Sequence, residues 1–186
     1  MAFTVLLDAD VLYPLYLRDA LLRLAYAEIF QVRWSQEILC EMSRNLKVNR
    51  PISEHARIDR TVEQMKSAFP DAMVTGYEAM IPSMTNHPKD RHVLAAAIEG
   101  RADLIVTSNI RHFPLASLAP HDIDVQPPDE FLCYQWELED PSLIVGILED
   151  WASALRSPPL GLYELLEILA RSAPKFSETV MRFANS

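Results

Sequence analysis

The chain has 186 residues, 49% of them hydrophobic and 23% charged, which supports one sizeable core and excludes a disordered polymer. Thirteen prolines stand against 4 glycines, and neither GxGxxG nor GxxxxGK followed by Ser or Thr occurs, so no Rossmann or P-loop phosphate cradle is expected. Seventeen basic residues against 26 acidic ones give a net charge of -9, which argues against coating nucleic acid through bulk charge.

The most apolar early stretch, Val11 to Ile29, is broken by Arg18, Asp19, Arg23 and Glu28. The N-terminus has no basic segment ahead of an apolar one. Cys40 and Cys133 form neither a CxxC pair nor a disulfide framework. A cytoplasmic protein without a membrane span is expected.

Phe3 to Leu7 is an apolar run closed by Asp8, which predicts a strand buried on both faces in a parallel sheet. Leu21, Leu22, Ala25 and Ile29 give residues 18–30 helical periodicity, and a short strand over Gln31 to Trp34 follows. Ser35 is a good N-cap for a helix to about Val48, and Ser53 is expected to cap another, up to Phe69. Pro88 suits a helix first turn running to about Arg101, ahead of a second buried strand from Asp103 to Thr107. From Pro128 onward only helices are expected, about 129–137, 141–156, 161–171 and 175–184. The fold class is therefore α/β, a parallel sheet flanked by helices and followed by an all-helical C-terminal extension, with domains at 1–126 and 127–186. The ligand crevice of such a sheet lies at the carboxyl ends of its strands.

The polar residues out of place lead toward that crevice. Asp8 ends the first strand, where it either starts a turn or faces the crevice, and Asp10 follows two positions later. Asp90 stands at i relative to Val93, Leu94 and Ala97 at i+3, i+4 and i+7, so it points inward; the competing role is to cap the helix. Glu41 falls at the edge of the stripe made by Ile38, Leu39, Met42 and Leu46, one turn before Asn45, facing either a cleft or water. Asn109 follows Val106, Thr107 and Ser108 at the second strand's end, and His112 comes three residues later, within reach of a phosphate or a proton transfer. Carboxylates about 4 Å apart repel by about 4 kcal/mol at an effective dielectric near 20, so a cluster of Asp8, Glu41 and Asp90 wants a cation. Oxygen ligands suit Mg²⁺ or Mn²⁺, and such an ion supports phosphodiester hydrolysis.

Residues 6–12 (LLDADVL), 35–42 (SQEILCEM), 87–97 (HPKDRHVLAAA), 105–109 (IVTSN) and Phe113-Pro114 resemble, in order, the motifs of PIN-domain ribonucleases. The resemblance is strongest to VapC-type toxins of toxin–antitoxin pairs. Residues 121–132 (HDIDVQPPDEFL) and 155–160 (LRSPPL) resemble the subgroup with a helical C-terminal extension. The resemblance implies Asp8, Glu41 and Asp90 as metal-binding acids, with Asn109 at a fourth catalytic position. It further implies Mg²⁺ or Mn²⁺ as cofactor, RNA as substrate, a small antitoxin as partner and a possible homodimer. Asp10, Asn45, Thr107 and Ser108 would support the ligands. Many PIN domains carry Asp where this chain has Asn109, and related sequences often carry an acid near His112.

Two other readings fit part of the pattern. A haloacid-dehalogenase-like phosphohydrolase would use Asp8 as nucleophile and Asp10 as general acid, but it needs a lysine after the second strand, and beyond residue 108 only Lys175 occurs. A catalytically inactive interaction module would keep the acids without a metal. Because net charge opposes RNA, local cations must hold it, and Arg18, Arg44, Arg91 and Arg111 near the motifs are the candidates, together with His112.

Overall fold

The computed structural model describes residues 3–185 and divides into two compact units. One takes the chain up to Tyr13 together with Phe30–Pro127, the other Pro14–Ile29 together with the chain from Pro128 onward.

The first unit is built on five parallel strands: β1 (Thr4–Leu7), β2 (Gln31–Ser35), β3 (Met73–Val74), β4 (Leu104–Val106) and β5 (Asp124–Gln126). Their order is β3-β2-β1-β4-β5, with Val5 opposite both Val32 and Leu104. Every residue of β1 and β4 is buried, as expected of central parallel strands. Between the strands lie α1 (Ala9–Leu12), α3 (Gln36–Val48), α4 (His55–Ala68), α5 (Arg91–Glu99) and α6 (Leu115–Leu118). The remaining helix of the N-terminal region, α2 (Leu15–Tyr26), belongs to the second unit.

Ser35 caps α3 as its sequence context requires, its side chain accepting from the Ile38 N–H at 3.2 Å. The expected cap at Ser53 is not formed. A short 3₁₀ turn over Ile52–Glu54 carries the chain into α4, whose N-terminus has no side-chain cap. Pro51 explains this difference, because its fixed φ of -59° and extended ψ of 151° start the tighter turn directly. Strands β3 and β5 were not expected. They have two and three residues, and β5 runs Asp-Val-Gln with none of its side chains buried, so neither leaves a periodic trace.

The sheet order reverses at β1, with β2 on one side and β4 on the other. That switch point is where an open parallel sheet leaves room for a ligand. Asp8 and Thr107 are the residues that immediately follow β1 and β4.

The second unit joins α2 to α7 (Pro128–Leu138), α8 (Pro141–Ala154), α9 (Leu162–Leu169) and α10 (Pro174–Ala184). Leu21, Leu24, Phe131, Ile144, Trp151, Leu165, Leu169 and Phe176 are fully or almost fully buried. Tyr16 packs on Trp151 with ring centroids 5.9 Å apart, and the Arg23 guanidinium lies 5.4 Å from the same indole. Asp129 on α7 accepts from the N–H groups of Lys175 and Phe176, so a neighbouring helix satisfies orphan donors of α10.

Candidate metal centre

Asp8 is the N-cap of α1, accepting from the Ala9 N–H at 2.7 Å, and its own N–H extends the ladder to the Val106 carbonyl at 3.1 Å. These bonds fix the carboxylate at the β1–β4 switch, where it is only 4% exposed. The Thr107 hydroxyl lies 2.8 Å from Asp8 Oδ2 and 3.3 Å from Asp10 Oδ1, while the Ser108 N–H donates to Asp10 Oδ2 at 2.9 Å. A hydroxyl has one proton, so Thr107 serves one carboxylate fully at a time. Two acids thus share one donor inside the fold.

The electrostatic consequence is a strained pair. Burial, and then the charge of Asp10, push the Asp8 carboxyl up from 3.8 to about 7, and the charge of Asp90 adds to the rise. Asp10 is raised as well, first by burial, against the lowering effect of the bonds from Ser108 and Thr107; Asp90 again adds to it. Asp8 and Asp10 are thus both held above the usual carboxylate range.

Asp90 stands at the start of α5, after a 3₁₀ turn over Pro88–Asp90. It occupies the N-cap position, yet its side chain makes no capping bond. Its Oδ2 faces His112 Nδ1 at 2.6 Å, and its carbonyl accepts from the Asn86 side-chain amide at 2.9 Å. His87 stacks on His112 with ring centroids 4.0 Å apart, and the His87 N–H donates to the His112 carbonyl. One ligand atom each from His87, Asp90 and His112 lie within 4.8 Å of one another.

The other candidates divide. Asn109 anchors the loop through its backbone, its N–H donating to Thr107 Oγ1 at 3.1 Å and its carbonyl accepting from the His112 N–H. Glu41 lies on α3 with its carboxylate 3.7 Å from His92 Nε2, while Glu37 lies 3.8 Å from Nδ1 of the same ring. Asn45 is exposed on α3, and among the described residues no hydrogen bond ties it to the aspartates. Arg91 spends its Nε–H on the Asn86 carbonyl at 3.4 Å, and Arg111 and Arg44 are exposed. Arg18 departs from the expected phosphate contact: it lies on α2 in the helical unit, 5% exposed, with Nε 3.9 Å from Asp19. Leu17 and Leu21 set the buried face of α2, and Arg18, adjacent to that stripe, is drawn in with it.

Sequence reasoning passed over His87, His92 and Asn86. His87 and His92 flank Asp90 without the i, i+4 spacing of a zinc pair, which is a rule for one helix. His87 instead meets His112 across two loops. Asn86 is 2% exposed with Oδ1 unpartnered, and its proximity to the Asp90 motif was the available signal. An open groove of about 680 Å³ runs between α3 and α4, lined by Gln36, Cys40, Arg44, Lys47, Asp59 and Lys66 among others; Asp8, Asp10 and Asp90 do not line it.

The donor set fits a divalent cation. Two carboxylates raised chiefly by burial, with one hydroxyl proton shared between them, are relieved by positive charge. No helix among the described residues is long and apolar enough to cross a membrane.

A parallel five-stranded sheet with aspartates at its switch point defines a class that the comparisons identify. Residues 4–111 match the PIN domain, and the chain belongs to the PIN-domain family. Residues 128–182 match the VapC50 C-terminal domain, which places the chain among the VapC-type members with a C-terminal extension. It is 40% identical over 114 residues to "Putative ribonuclease VapC50" of Mycobacterium tuberculosis (strain ATCC 25618 / H37Rv), covering 60% of this chain. The match spans 65% of that protein's length. No solved structure matches the chain.

Proposed function

We propose that the chain is a metal-dependent endoribonuclease, hydrolysing RNA phosphodiester bonds as the cytoplasmic toxin of a toxin–antitoxin pair. The observation that carries the reading is the pair Asp8 and Asp10, held around Thr107 at the β1–β4 switch point of a PIN sheet and both raised by burial and by neighbouring carboxylates. Asp8, Asp90 and Glu41 would hold Mg²⁺ or Mn²⁺, with the Asn109 carbonyl oxygen as a further donor. The bound ion would lower the pKa of an attacking water and neutralise charge on the phosphoryl oxygens.

The protein's own groups do the rest. Thr107 and Ser108 hold Asp10 and Asp8 in fixed rotamers, so the ligands are oriented before substrate arrives. His112, held by Asp90, stands beside the crevice where it can touch a phosphate. Exposed Arg111 and Arg44 and half-buried Arg91 supply local cations to a chain of net charge -9. The nuclease machinery lies within 1–126, and residues 127–186 form the extension. A small antitoxin placing an arginine against the free acids would silence the site, and a homodimer is compatible with this reading.

The PIN match over residues 4–111 does not favour the dehalogenase-like alternative. Purified full-length chain incubated with unstructured RNA should cleave it with Mg²⁺ or Mn²⁺ and not with EDTA. Formation of a phosphoenzyme on Asp8, with no RNA cleavage, would overturn the proposal.

A further inference from the structure

The ligands around Asp90 are not all oxygen. His112 Nδ1 is 2.6 Å from Asp90 Oδ2, and His87 is tied to the same place by ring stacking and by its N–H bond to the His112 carbonyl. With one ligand atom from each residue lying within 4.8 Å of the others, the cluster is close to the size that a small divalent ion requires. Such an ion, with bonds of about 2.1 Å to nitrogen and oxygen, holds its ligands roughly 3 to 4 Å apart.

We propose that His87, Asp90 and His112 form a mixed nitrogen–oxygen site that selects a first-row transition ion of the Zn²⁺ and Co²⁺ class over Mg²⁺. Imidazole suits such ions, whereas Mg²⁺ favours carboxylates, carbonyls and water. The inference deepens the metal-dependent reading and rests on its placing a cation beside Asp90; what it adds is the ion's class and two ligands.

Two local changes would complete the site. In the neutral ring the Nδ1 proton bridges His112 to Asp90. A bound ion would replace that proton, which would move through solvent to Nε2, and His112 and Asp90 would each offer one ligand atom. The two rings are parallel to within 12°, so their in-plane lone pairs do not yet meet, and His87 must turn. Its side chain is held by the stack and by a 3.3 Å bond from the Lys89 N–H to Nδ1, near the long limit for a hydrogen bond.

The test uses the metal-stripped full-length chain and Co²⁺ as probe, read by visible d–d absorption and by imidazole NMR. Co²⁺ should shift and broaden His87 and His112 ahead of His55 and His121, and excess Mg²⁺ should fail to displace it. His87→Ala and His112→Asp should each weaken Co²⁺ binding by about tenfold or more, while His112→Asp keeps or improves Mg²⁺ binding. Equal Co²⁺ affinity in wild type and both variants, or ready displacement by Mg²⁺, overturns the inference while leaving the metal-dependent reading in place. Failure of wild type to bind either ion overturns both. The wild-type NMR result stands without the variants, so a variant that misfolds does not remove the test.

Discussion

Asp8 concentrates the site's electrostatic cost in one side chain. Its carboxyl titrates near 3.8 in the unfolded chain and about 7 in the fold, chiefly because burial disfavours the charge. Between about pH 4 and 7 the folded state holds more protons than the unfolded one, so metal-free stability falls as pH rises through that window. A shift of this size amounts to a few kcal/mol at 1.36 per pKa unit. Asp8→Asn removes the titration. Calorimetry of the metal-free proteins should show the variant melting several degrees above wild type at pH 8, with the gap closing toward pH 4. Mn²⁺ should then raise wild type and not the variant; a pH-independent gap would mean that Asp8 is already neutral or solvated. Asp90→Asn behaves differently, because it weakens a charge-assisted bond to His112. It should abolish RNA cleavage and give little or no gain in metal-free stability, and retained cleavage would remove Asp90 from the site. Asp8 and Asp90 were legible because an apolar strand and an apolar helix stripe each point at them. His87 and His92 were not, since their partners lie on other segments.

At the scale of elements, Ser35 ties strand to helix. It is fully buried and caps α3, the helix that carries Glu37 and Glu41 toward His92. Ser35→Ala should cost about 1 kcal/mol, a fall of roughly 2 to 4 °C in melting temperature for a chain of this size. RNA cleavage should fall too if α3 frays at its first turn, and an unchanged melting temperature would show that the cap contributes nothing. This helix was readable because cap and apolar stripe agree. Where one signal was missing the reading slipped: Pro51 replaces the cap at Ser53 with a 3₁₀ turn, and β3 and β5 are too short for alternation to register. Central strands β1 and β4 were readable because burial on both faces makes them uniformly apolar.

Over the whole molecule, sequence order and compact units do not coincide. The all-helical pattern from Pro128 onward was readable, but membership of α2 was not. Its amphipathic stripe looks the same whether it covers a sheet or other helices. In the structure α2 belongs with α7 to α10, Leu21 and Leu24 fully buried, with Tyr16 and Arg23 against Trp151 of α8. A chain ended at Gln126 therefore keeps α2 while losing the helices it is grouped with. Uncovered leucines at helical spacing form an aggregation-prone patch, so the 1–126 fragment should self-associate in sedimentation or melt without a cooperative transition. Replacing Leu17 and Leu24 by Ser within that fragment should restore a monomer, because the patch is the cause and the sheet's own core is untouched. The same substitutions in the full chain should destabilise it, since there these side chains are buried. A monomeric, cooperatively melting fragment without the serine changes would show that α2 needs no partner from the C-terminal helices.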